Sequence, residues 1–459
     1  MKKFIGDKSF YKMVLLLVIP MIIQQGFTSV VNLLDNVMVG QLGTETISAV
    51  AICSQFFFVL NVTIFGGLSG ASIFSAQYFG RKDYDGVMHT FRFKILFGIV
   101  ISFFALLAFN IWDKQLISLF LNEKAGDTAD LVQTMVNAQL YLKIMLWGIV
   151  PFVISQCFSS TLRESGNTVI AMTGTILAVL VNFVGNYLLI FGSFGFPKLG
   201  IAGAAIATVI SRFVEAGFMV TMTLIRRKDF YFIRKAFKSF YIPRKILKGI
   251  AIKGSPLLAN EFIWSMATAS LTANYSIRGI AVVAALNISS TISQLFGIFF
   301  MSMGNAVGVL VGQQLGAGDF EKAKDTDYKL VFLNVCISIG LGIILALASP
   351  YIPYIYNTEI SVRTMASSFL IIVALTFPLH AFNHSIYFTL RSGGKTIITF
   401  FFDCVFTCVV SVPLAFFFSR YTTLSIVGVF LIVNMADSIK STIGYLMLKS
   451  GSWARSIVV

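Results

Sequence analysis

The longest uncharged stretches of this chain set the strongest limit on its fold. No Asp, Glu, Lys or Arg occurs between Arg278 and Asp319, and none occurs between Lys329 and Glu359. A transmembrane helix needs about 20 predominantly apolar residues, and each stretch is long enough to supply one. Hydrophobic residues make up 57% of the chain and charged residues only 12%, well below the charged share of a soluble domain. The sequence therefore predicts a polytopic membrane protein and excludes a soluble globular fold.

Breaks at charged residues, Pro and Gly divide the chain into twelve candidate spanning helices. The first is predicted to be retained, because its apolar run is too long for a signal peptide and lacks a small-residue cleavage site. The predicted ranges are 13–39, 46–77, 91–111, 133–161, 168–192, 199–224, 250–276, 281–312, 328–349, 363–389, 396–418 and 423–447. The predicted fold class is an all-α polytopic membrane protein with twelve transmembrane helices.

The net charge of +15 is spread unevenly along the chain. Basic residues concentrate in alternate loops, whereas the loops between them hold few. Lys and Arg are kept in cytoplasmic loops of membrane proteins, so both termini and the long middle loop are predicted to be cytoplasmic in a multi-pass plasma-membrane (bacterial inner-membrane) protein. This distribution explains the charge without nucleic acid as a partner. One predicted loop group comprises Arg81, Lys82, Arg92 and Lys94.

The middle loop, residues 226–249, is the clearest change of composition, because it is rich in Lys and Arg with Phe and Tyr between them. We interpret it as an amphipathic linker that lies on the anionic inner leaflet. A regulatory or nucleic-acid-binding role is the less favoured alternative. The linker separates two predicted six-helix bundles, residues 1–225 and 250–459.

The two bundles have the same helix-breaking and polar residues at matching positions. A shift of the chain by 236 positions pairs Pro20 with Pro256, and further pairs are Gly43 with Gly279, Gln77 with Gln313, Gly80 with Gly316 and Asp83 with Asp319. Both halves are predicted to begin and end inside, so they would be parallel repeats related by a pseudo-twofold axis along the membrane normal. Transporters commonly have such repeats, with a substrate site between the halves.

Asp35 is an acidic residue inside the first apolar segment, and no Lys or Arg lies between Lys12 and Arg81. A carboxylate within a bilayer is costly and usually functional. Asn182 and Asn186 are four residues apart and share one helix face. Their amide oxygens and the carboxylate could bind a hard alkali cation. Alternatively, the Asp35 carboxyl group binds a proton, or the three polar side chains only stabilise helix packing.

Polar residues in the second half form another candidate site. Glu261 has no basic neighbour nearer than Lys253, and it is interpreted as a second proton or substrate-charge site, with a pair to a loop base as the alternative. His380 and His384 are four residues apart with Asn383 between them. They could handle protons, line a substrate site or only pack. Two histidines do not make a zinc site, so no bound metal is expected.

Two pairs of opposite charge at i, i+3 spacing are predicted to be structural ion pairs. These are Arg212 with Glu215 on the sixth helix and Asp437 with Lys440 on the twelfth. Neither pair is expected to take part in transport.

The chain resembles the multidrug and toxic compound extrusion (MATE) family over nearly its whole length. The resemblance rests on the order of several motifs within the duplicated twelve-helix pattern. These motifs are Asp35–Gly43, Gln77-x-x-Gly80, the turns beginning Leu162-Arg163 and Leu390-Arg391, and the ending from Lys440 to Trp453.

The resemblance implies export of organic, often cationic, compounds in exchange for inward H⁺ or Na⁺. Asp35 matches the family's ion-responsive acid, Asn182 and Asn186 match the fifth-helix polar pair, and Thr208 matches the sixth-helix hydroxyl. Asn186 stands where some members carry Asp. On the tenth helix, His380 stands where Na⁺-coupled members carry an acid.

The predicted function is therefore a cation-coupled antiporter that works by alternating access. Its expected partners are small organic substrates, an inorganic cation and the lipid bilayer; no cofactor is expected beyond the transported H⁺ or Na⁺, and the expected state is a monomer. The alternative is a lipid-linked oligosaccharide flippase of the same broad superfamily, for which Arg212 and Arg278 would be the phosphate-binding candidates. An enzyme is not expected, because the sequence contains no compact catalytic constellation.

Overall fold

A computed structural model describes residues 4–121, 131–356 and 358–458 of the chain. Within those ranges every regular element is a helix. Twelve long helices follow one another, and a short helix, Asp113–Ser118, lies between the third and fourth. Their bounds are α1 Lys8–Gly40, α2 Thr44–Gly80, α3 Tyr84–Ile111, α4 Leu131–Glu164, α5 Thr168–Phe191, α6 Ile201–Ile225, α7 Arg244–Ser276, α8 Ile280–Ala317, α9 Phe320–Ala348, α10 Ile360–Ser392, α11 Thr396–Tyr421 and α12 Ile426–Ser450.

Each helix lies where the sequence predicts a spanning segment, which confirms the all-α polytopic fold class. Among the described residues, 11 helices are long and apolar enough to cross a bilayer. The remaining one, α7, has 33 residues, so it is long enough, but Asn260 and Glu261 dilute its apolar run.

Four helices begin at least five residues earlier than predicted. α1 begins at Lys8 rather than at 13, α3 at Tyr84 rather than at 91, α7 at Arg244 rather than at 250, and α9 at Phe320 rather than at 328. The extra turns of α7 and α9 are rich in charged residues. Lys, Arg and Glu are good helix formers, so charge ends an apolar run without ending the helix.

The helices of the two halves match in order and length. α1 and α7 each have 33 residues and each contains a proline, Pro20 and Pro256. α2 and α8 have 37 and 38 residues, and α3 and α9 have 28 and 29. This agreement supports the duplication that the residue pairs at the offset of 236 indicate.

Contacts divide the chain into two compact units. The N-terminal unit comprises 19–75 and 84–248, and the C-terminal unit comprises 76–83, 249–458 and the described part of 1–18. The core of the N-terminal unit includes Cys53, Leu142 and Ala205. A core of the C-terminal unit includes Ala285, Phe369 and Val429. The predicted bundle boundaries at 225 and 250 stay a prediction.

The basic linker packs against the N-terminal unit through its aromatic residues. Phe230 and Phe232 are buried, and the Arg92 guanidinium donates to the backbone oxygens of Lys235, Ala236 and Tyr241 at 2.6–3.0 Å. The grouping of Arg92 and Lys94 with loop residues was wrong, whereas the predicted helix range 91–111, which contains both, was right. Both lie inside α3, and both are buried.

The C-terminal tail, residues 451–458, packs against the ends of α2 and α10 within the C-terminal unit. The Gln77 amide donates to the Ser392 oxygen at 2.8 Å and accepts from the Ile457 backbone N–H at 2.7 Å. Arg81 donates to the Val458 oxygen at 2.6 Å, and the Trp453 side chain is fully buried. The tail thus fixes the last turn of α2 to the turn between α10 and α11.

The same part of the C-terminal unit brings two helix ends into backbone contact. A Cβ on Gly80 would overlap the backbone oxygen of Gln313, and one on Gly316 would overlap the backbone oxygen of Gln77. These residues form two of the repeat pairs. Glycine is therefore required here for close approach rather than for a special φ angle.

Gly316→Val is expected to destabilise the C-terminal unit by about 1–3 kcal/mol, because the added atoms must push two backbones apart. The thermal unfolding midpoint in detergent should fall by a few degrees. Gly340→Val on α9 is the matched control, since nothing lies within 4 Å of its Cβ position and it carries the same helix-propensity cost. Equal midpoints for the two variants would contradict the close-approach argument.

Candidate functional site

Four predicted site residues of the N-terminal unit come together in the structure. Asp35 lies near the end of α1, Asn182 and Asn186 lie one turn apart on α5, and Thr208 lies on α6. α5 and α6 approach closely because small residues face each other: a Cβ on Gly203 would overlap the Leu189 backbone. This packing places Thr208 beside Asn182.

The four side chains form a continuous hydrogen-bonded cluster. The Asn186 amide nitrogen donates to Asp35 Oδ1 at 2.6 Å. One end of the Asn182 amide lies 2.9 Å from each Asp35 carboxyl oxygen, and its other end lies 3.1 Å from Thr208 Oγ1. Both asparagines are buried, with exposed fractions of 5% and 1%. The cluster, named here the Asp35 cluster, joins three helices around one carboxyl group.

The Asn182 amide can satisfy this cluster in two orientations. With its nitrogen toward Asp35, the amide donates to an ionised carboxylate and accepts from the Thr208 hydroxyl. With its oxygen toward Asp35, it needs a proton on the carboxyl group, and its nitrogen donates to Thr208 while the hydroxyl donates to the Ala204 oxygen at 3.0 Å. The two orientations correspond to the two charge states of Asp35, because a carboxylate cannot donate.

Within the described part of the chain, Asp35 has only neutral partners. Its hydrogen bonds there come from the two asparagines, and no described Lys or Arg forms an ion pair with it. Asn186 Oδ1 is buried without a hydrogen-bond partner among the described residues. Carboxylate and amide oxygens that lack a basic partner can bind a proton or a hard cation.

Glu261 of the C-terminal unit lies in an aromatic environment. It accepts a hydrogen bond from the Tyr387 hydroxyl at 2.9 Å, and Arg391 interacts with it electrostatically. His384 stacks nearly parallel to Tyr387, with ring centroids 6.1 Å apart, and its Nε2 is buried without a described hydrogen-bond partner. Phe300 and Phe388 also face the histidine ring. Glu261 and His384 therefore belong to one group through Tyr387.

The other two predicted residues of α10 belong to a different group. His380 Nδ1 lies 3.1 Å from Asp437 Oδ2, and Asn383 donates to the Asp437 backbone oxygen at 3.2 Å. Both side chains therefore bind α12 rather than Glu261. The structure divides the candidate set of the second half between two contacts.

Neither predicted i, i+3 ion pair forms among the described residues, so both predictions were wrong. Lys440 instead binds Asp403 at 2.7 Å, and Glu215 accepts from the hydroxyls of Thr175 and Ser155. Arg212 lies over the Phe57 and Phe152 rings. Partners on neighbouring helices displace partners on the same helix.

Comparison with known proteins places this architecture in a family. A sequence model of the MatE family matches residues 20–188 and 257–417, one segment in each half of the chain. The chain belongs to the MatE family. The match covers most of the chain and occurs once in each half, in agreement with the duplicated helices. MatE proteins are transporters and not enzymes, so the chain is a multi-pass membrane transporter.

Several relatives of this MatE protein align along nearly its full length. The "Probable multidrug resistance protein NorM" of Thermotoga maritima is 27% identical over 428 residues, which are 93% of this chain and 89% of the relative. The "Probable multidrug resistance protein YoeA" of Bacillus subtilis is 26% identical over 428 residues, 92% of this chain and 89% of the relative.

Solved structures share the fold of this MatE protein. An outward-facing multidrug resistance MATE family transporter of the MOP superfamily has a TM-score of 0.86 at 21% identity, and covers 98% of each chain. A MOP superfamily transporter from Pyrococcus furiosus has a TM-score of 0.84 at 22% identity, over 98% of this chain and 97% of its own.

Sequence reasoning missed three polar residues that the MatE fold buries. Lys94 binds Glu164 inside the N-terminal unit, Tyr387 binds Glu261, and Asp327 is fully buried beside Thr389. Lys94 and Asp327 lie in helix ends that are rich in charge, so they look like loop or surface residues. Among the described residues, no group of three His, Cys, Asp or Glu could hold a metal ion.

Proposed function

We propose that this MatE protein is a multidrug exporter that exchanges an inward-moving H⁺ or Na⁺ for organic, mainly cationic, compounds. Its relatives bear the names of multidrug resistance proteins. We further propose that it acts as a monomer in the plasma membrane, with both termini in the cytoplasm, as its loop charges predict.

The Asp35 cluster is the observation that carries this proposal. A carboxyl group with only neutral hydrogen-bond partners can gain and lose a positive ion without breaking an ion pair. Asn182 can follow that change by exchanging its donor and acceptor ends. An arginine partner would have neutralised Asp35 permanently.

Exchange follows if the coupling ion and the cationic substrate cannot stabilise the same state of the transporter. An ion that enters from outside neutralises Asp35, which weakens the attraction for a positive substrate and favours substrate release. Loss of the ion inside restores the negative charge and favours binding of the next substrate. Each elementary charge that moves across about 100 mV supplies about 2.3 kcal/mol, enough for a gradient of roughly fiftyfold.

Glu261 is the second acidic group that we assign to transport. Its contacts with Tyr387 and the neighbouring His384 place a carboxylate among aromatic rings. Organic cations bind well in such surroundings, since ring faces attract positive charge by about 0.5–2 kcal/mol each. We propose that Glu261 balances substrate charge or takes up a second proton.

The flippase alternative is less well supported, because its phosphate-binding candidates are already engaged. Arg278 donates to the backbone oxygens of Phe418, Ser419 and Thr422 at 2.6–3.1 Å. Arg212 contacts two aromatic rings and donates to the Gly148 oxygen. Binding a lipid phosphate would require these contacts to break.

Ion dependence in reconstituted vesicles tests the proposal. Purified protein in vesicles loaded with a fluorescent organic cation should move the dye when an opposing H⁺ or Na⁺ gradient is imposed. A protonophore should abolish transport if H⁺ drives it, and removal of Na⁺ should abolish transport if Na⁺ drives it. Dye movement that ignores both gradients would refute coupling. Export of a labelled lipid-linked oligosaccharide instead of the dye would favour the flippase.

A further inference from the structure

Asp327 is a fully buried acid that the exchange scheme does not use. It lies two turns inside α9, and its exposed fraction is 0%. Its hydrogen-bond partner is Thr389 on α10, which is also fully buried, and Thr389 Oγ1 lies 2.5 Å from Asp327 Oδ1. The second carboxyl oxygen, Oδ2, is buried and has no hydrogen-bond partner among the described residues.

The Thr389 hydroxyl has one hydrogen and two candidate acceptors. It lies 3.0 Å from the backbone oxygen of Ser385, one turn earlier on α10, as well as 2.5 Å from Asp327. A hydroxyl can donate to only one acceptor at a time. Both contacts are satisfied together only if the hydroxyl donates to Ser385 and the carboxyl group of Asp327 donates to Thr389. That arrangement requires a proton on Asp327.

The charges around Asp327 do not favour its ionised form. No Lys, Arg or His of the described residues forms an ion pair with it, and α8, which packs against α9, contains none of these residue types. On α10, Arg391 interacts with Glu261, and His380 binds Asp437. Lys324 of α9 and Tyr445 of α12 act electrostatically on Tyr328, the residue next to Asp327. Lys324 forms an ion pair with Glu321, and Lys329 forms one with Asp325.

An ionised Asp327 would thus be a buried charge with one hydrogen bond and no counter-ion in the part of the chain that the structure describes, which is costly. We propose that Asp327 carries a proton in this conformation, which makes the seam between α9 and α10 a proton-binding site of the C-terminal unit. The proton is lost when α9 and α10 separate enough to admit water to Oδ2. This site goes beyond the proposed exchange at Asp35 and does not depend on which ion drives it.

Infrared spectroscopy of the purified full-length protein tests the proton directly. At neutral pH the wild type should show a C=O stretch of a protonated carboxylic acid that Asp327→Asn removes. In Thr389→Val the band should persist but shift to higher frequency, because the acid loses its hydrogen-bond acceptor. An unchanged spectrum in Asp327→Asn would show that Asp327 is ionised and would overturn the proposal.

The Asp35→Asn variant keeps this test separate from the proposed function. It should lose exchange but retain the band that depends on Asp327. If Asp35→Asn still transports, the exchange scheme fails while the Asp327 proposal stands.

The pH dependence of stability provides a second measurement. An aspartate in the unfolded chain is ionised above about pH 4, so a folded state that holds a proton loses stability as pH rises. Between about pH 5 and pH 7, the unfolding equilibrium constant of the wild type should rise by up to about tenfold per pH unit relative to Asp327→Asn. Asp325→Asn, on the surface of the same helix, should follow the wild type. Parallel curves for wild type and Asp327→Asn would contradict a bound proton.

Discussion

Asp35→Asn is expected to reduce ion-driven dye export to the background of empty vesicles while the protein stays folded. The asparagine amide has nearly the shape of the carboxyl group and can still bond to Asn182 and Asn186, so the packing of α1, α5 and α6 should persist. It cannot take up or release a proton, and it removes the negative charge that a cation would require. The measurement is the initial rate of gradient-driven dye movement in vesicles with matched protein content.

Two controls separate loss of coupling from loss of structure. Asp325→Asn makes the same chemical change at a half-exposed position that pairs with Lys329 on the same helix, so its transport rate should equal that of the wild type. Thermal unfolding of Asp35→Asn in detergent should show one cooperative transition close to that of the wild type. Export at the wild-type rate in a folded Asp35→Asn protein would refute the role assigned to the Asp35 cluster.

Lys94→Met is expected to destabilise the protein strongly, because it breaks the buried ion pair between Lys94 and Glu164. Lys94 Nζ lies 2.6 Å from a Glu164 oxygen and 3.0 Å from Ser160 Oγ, and the lysine side chain is fully buried. Removal of the lysine takes the direct ion-pair partner away from a buried carboxylate, and breaking a buried pair in this way costs about 3–5 kcal/mol. The thermal unfolding midpoint in detergent should fall by several degrees.

A second change should reverse most of this loss. The Lys94→Met/Glu164→Gln double variant removes both charges, so its midpoint should lie nearer to the wild type than that of Lys94→Met. The matched control is Lys324→Met, whose partner Glu321 is on the surface with 88% of its side chain exposed. Exposed pairs contribute only about 0–1 kcal/mol, so this control should barely shift the midpoint. Equal effects of Lys94→Met and Lys324→Met would contradict the buried pair.

The repeat-paired glycines illustrate what a sequence pattern can and cannot predict. The offset of 236 pairs Gly80 with Gly316 and Gln77 with Gln313, and it predicts duplication correctly in the helix lengths. The offset does not explain why glycine occupies these positions. The explanation is the contact of each glycine with the backbone opposite it, and that contact exists only in the packed C-terminal unit.

The sequence by itself determined the helices and the most informative acid. Long apolar runs are local features, and a bilayer permits only helices for them, so the twelve segments follow from composition. Asp35 stands out for the same reason, since a single charge in an apolar run is visible without any contact. The spacing of Asn182 and Asn186 is likewise a local feature, which predicts a shared face.

Only the tertiary structure decided which polar groups meet. Lys440 binds Asp403 instead of Asp437, His380 turns to Asp437 instead of Glu261, and Asp327 is buried although its segment looks like a surface helix end. These outcomes depend on the rotation and depth of each helix against its neighbours. Rotation and depth are set by side-chain packing summed over whole helices, and no short sequence window contains that information.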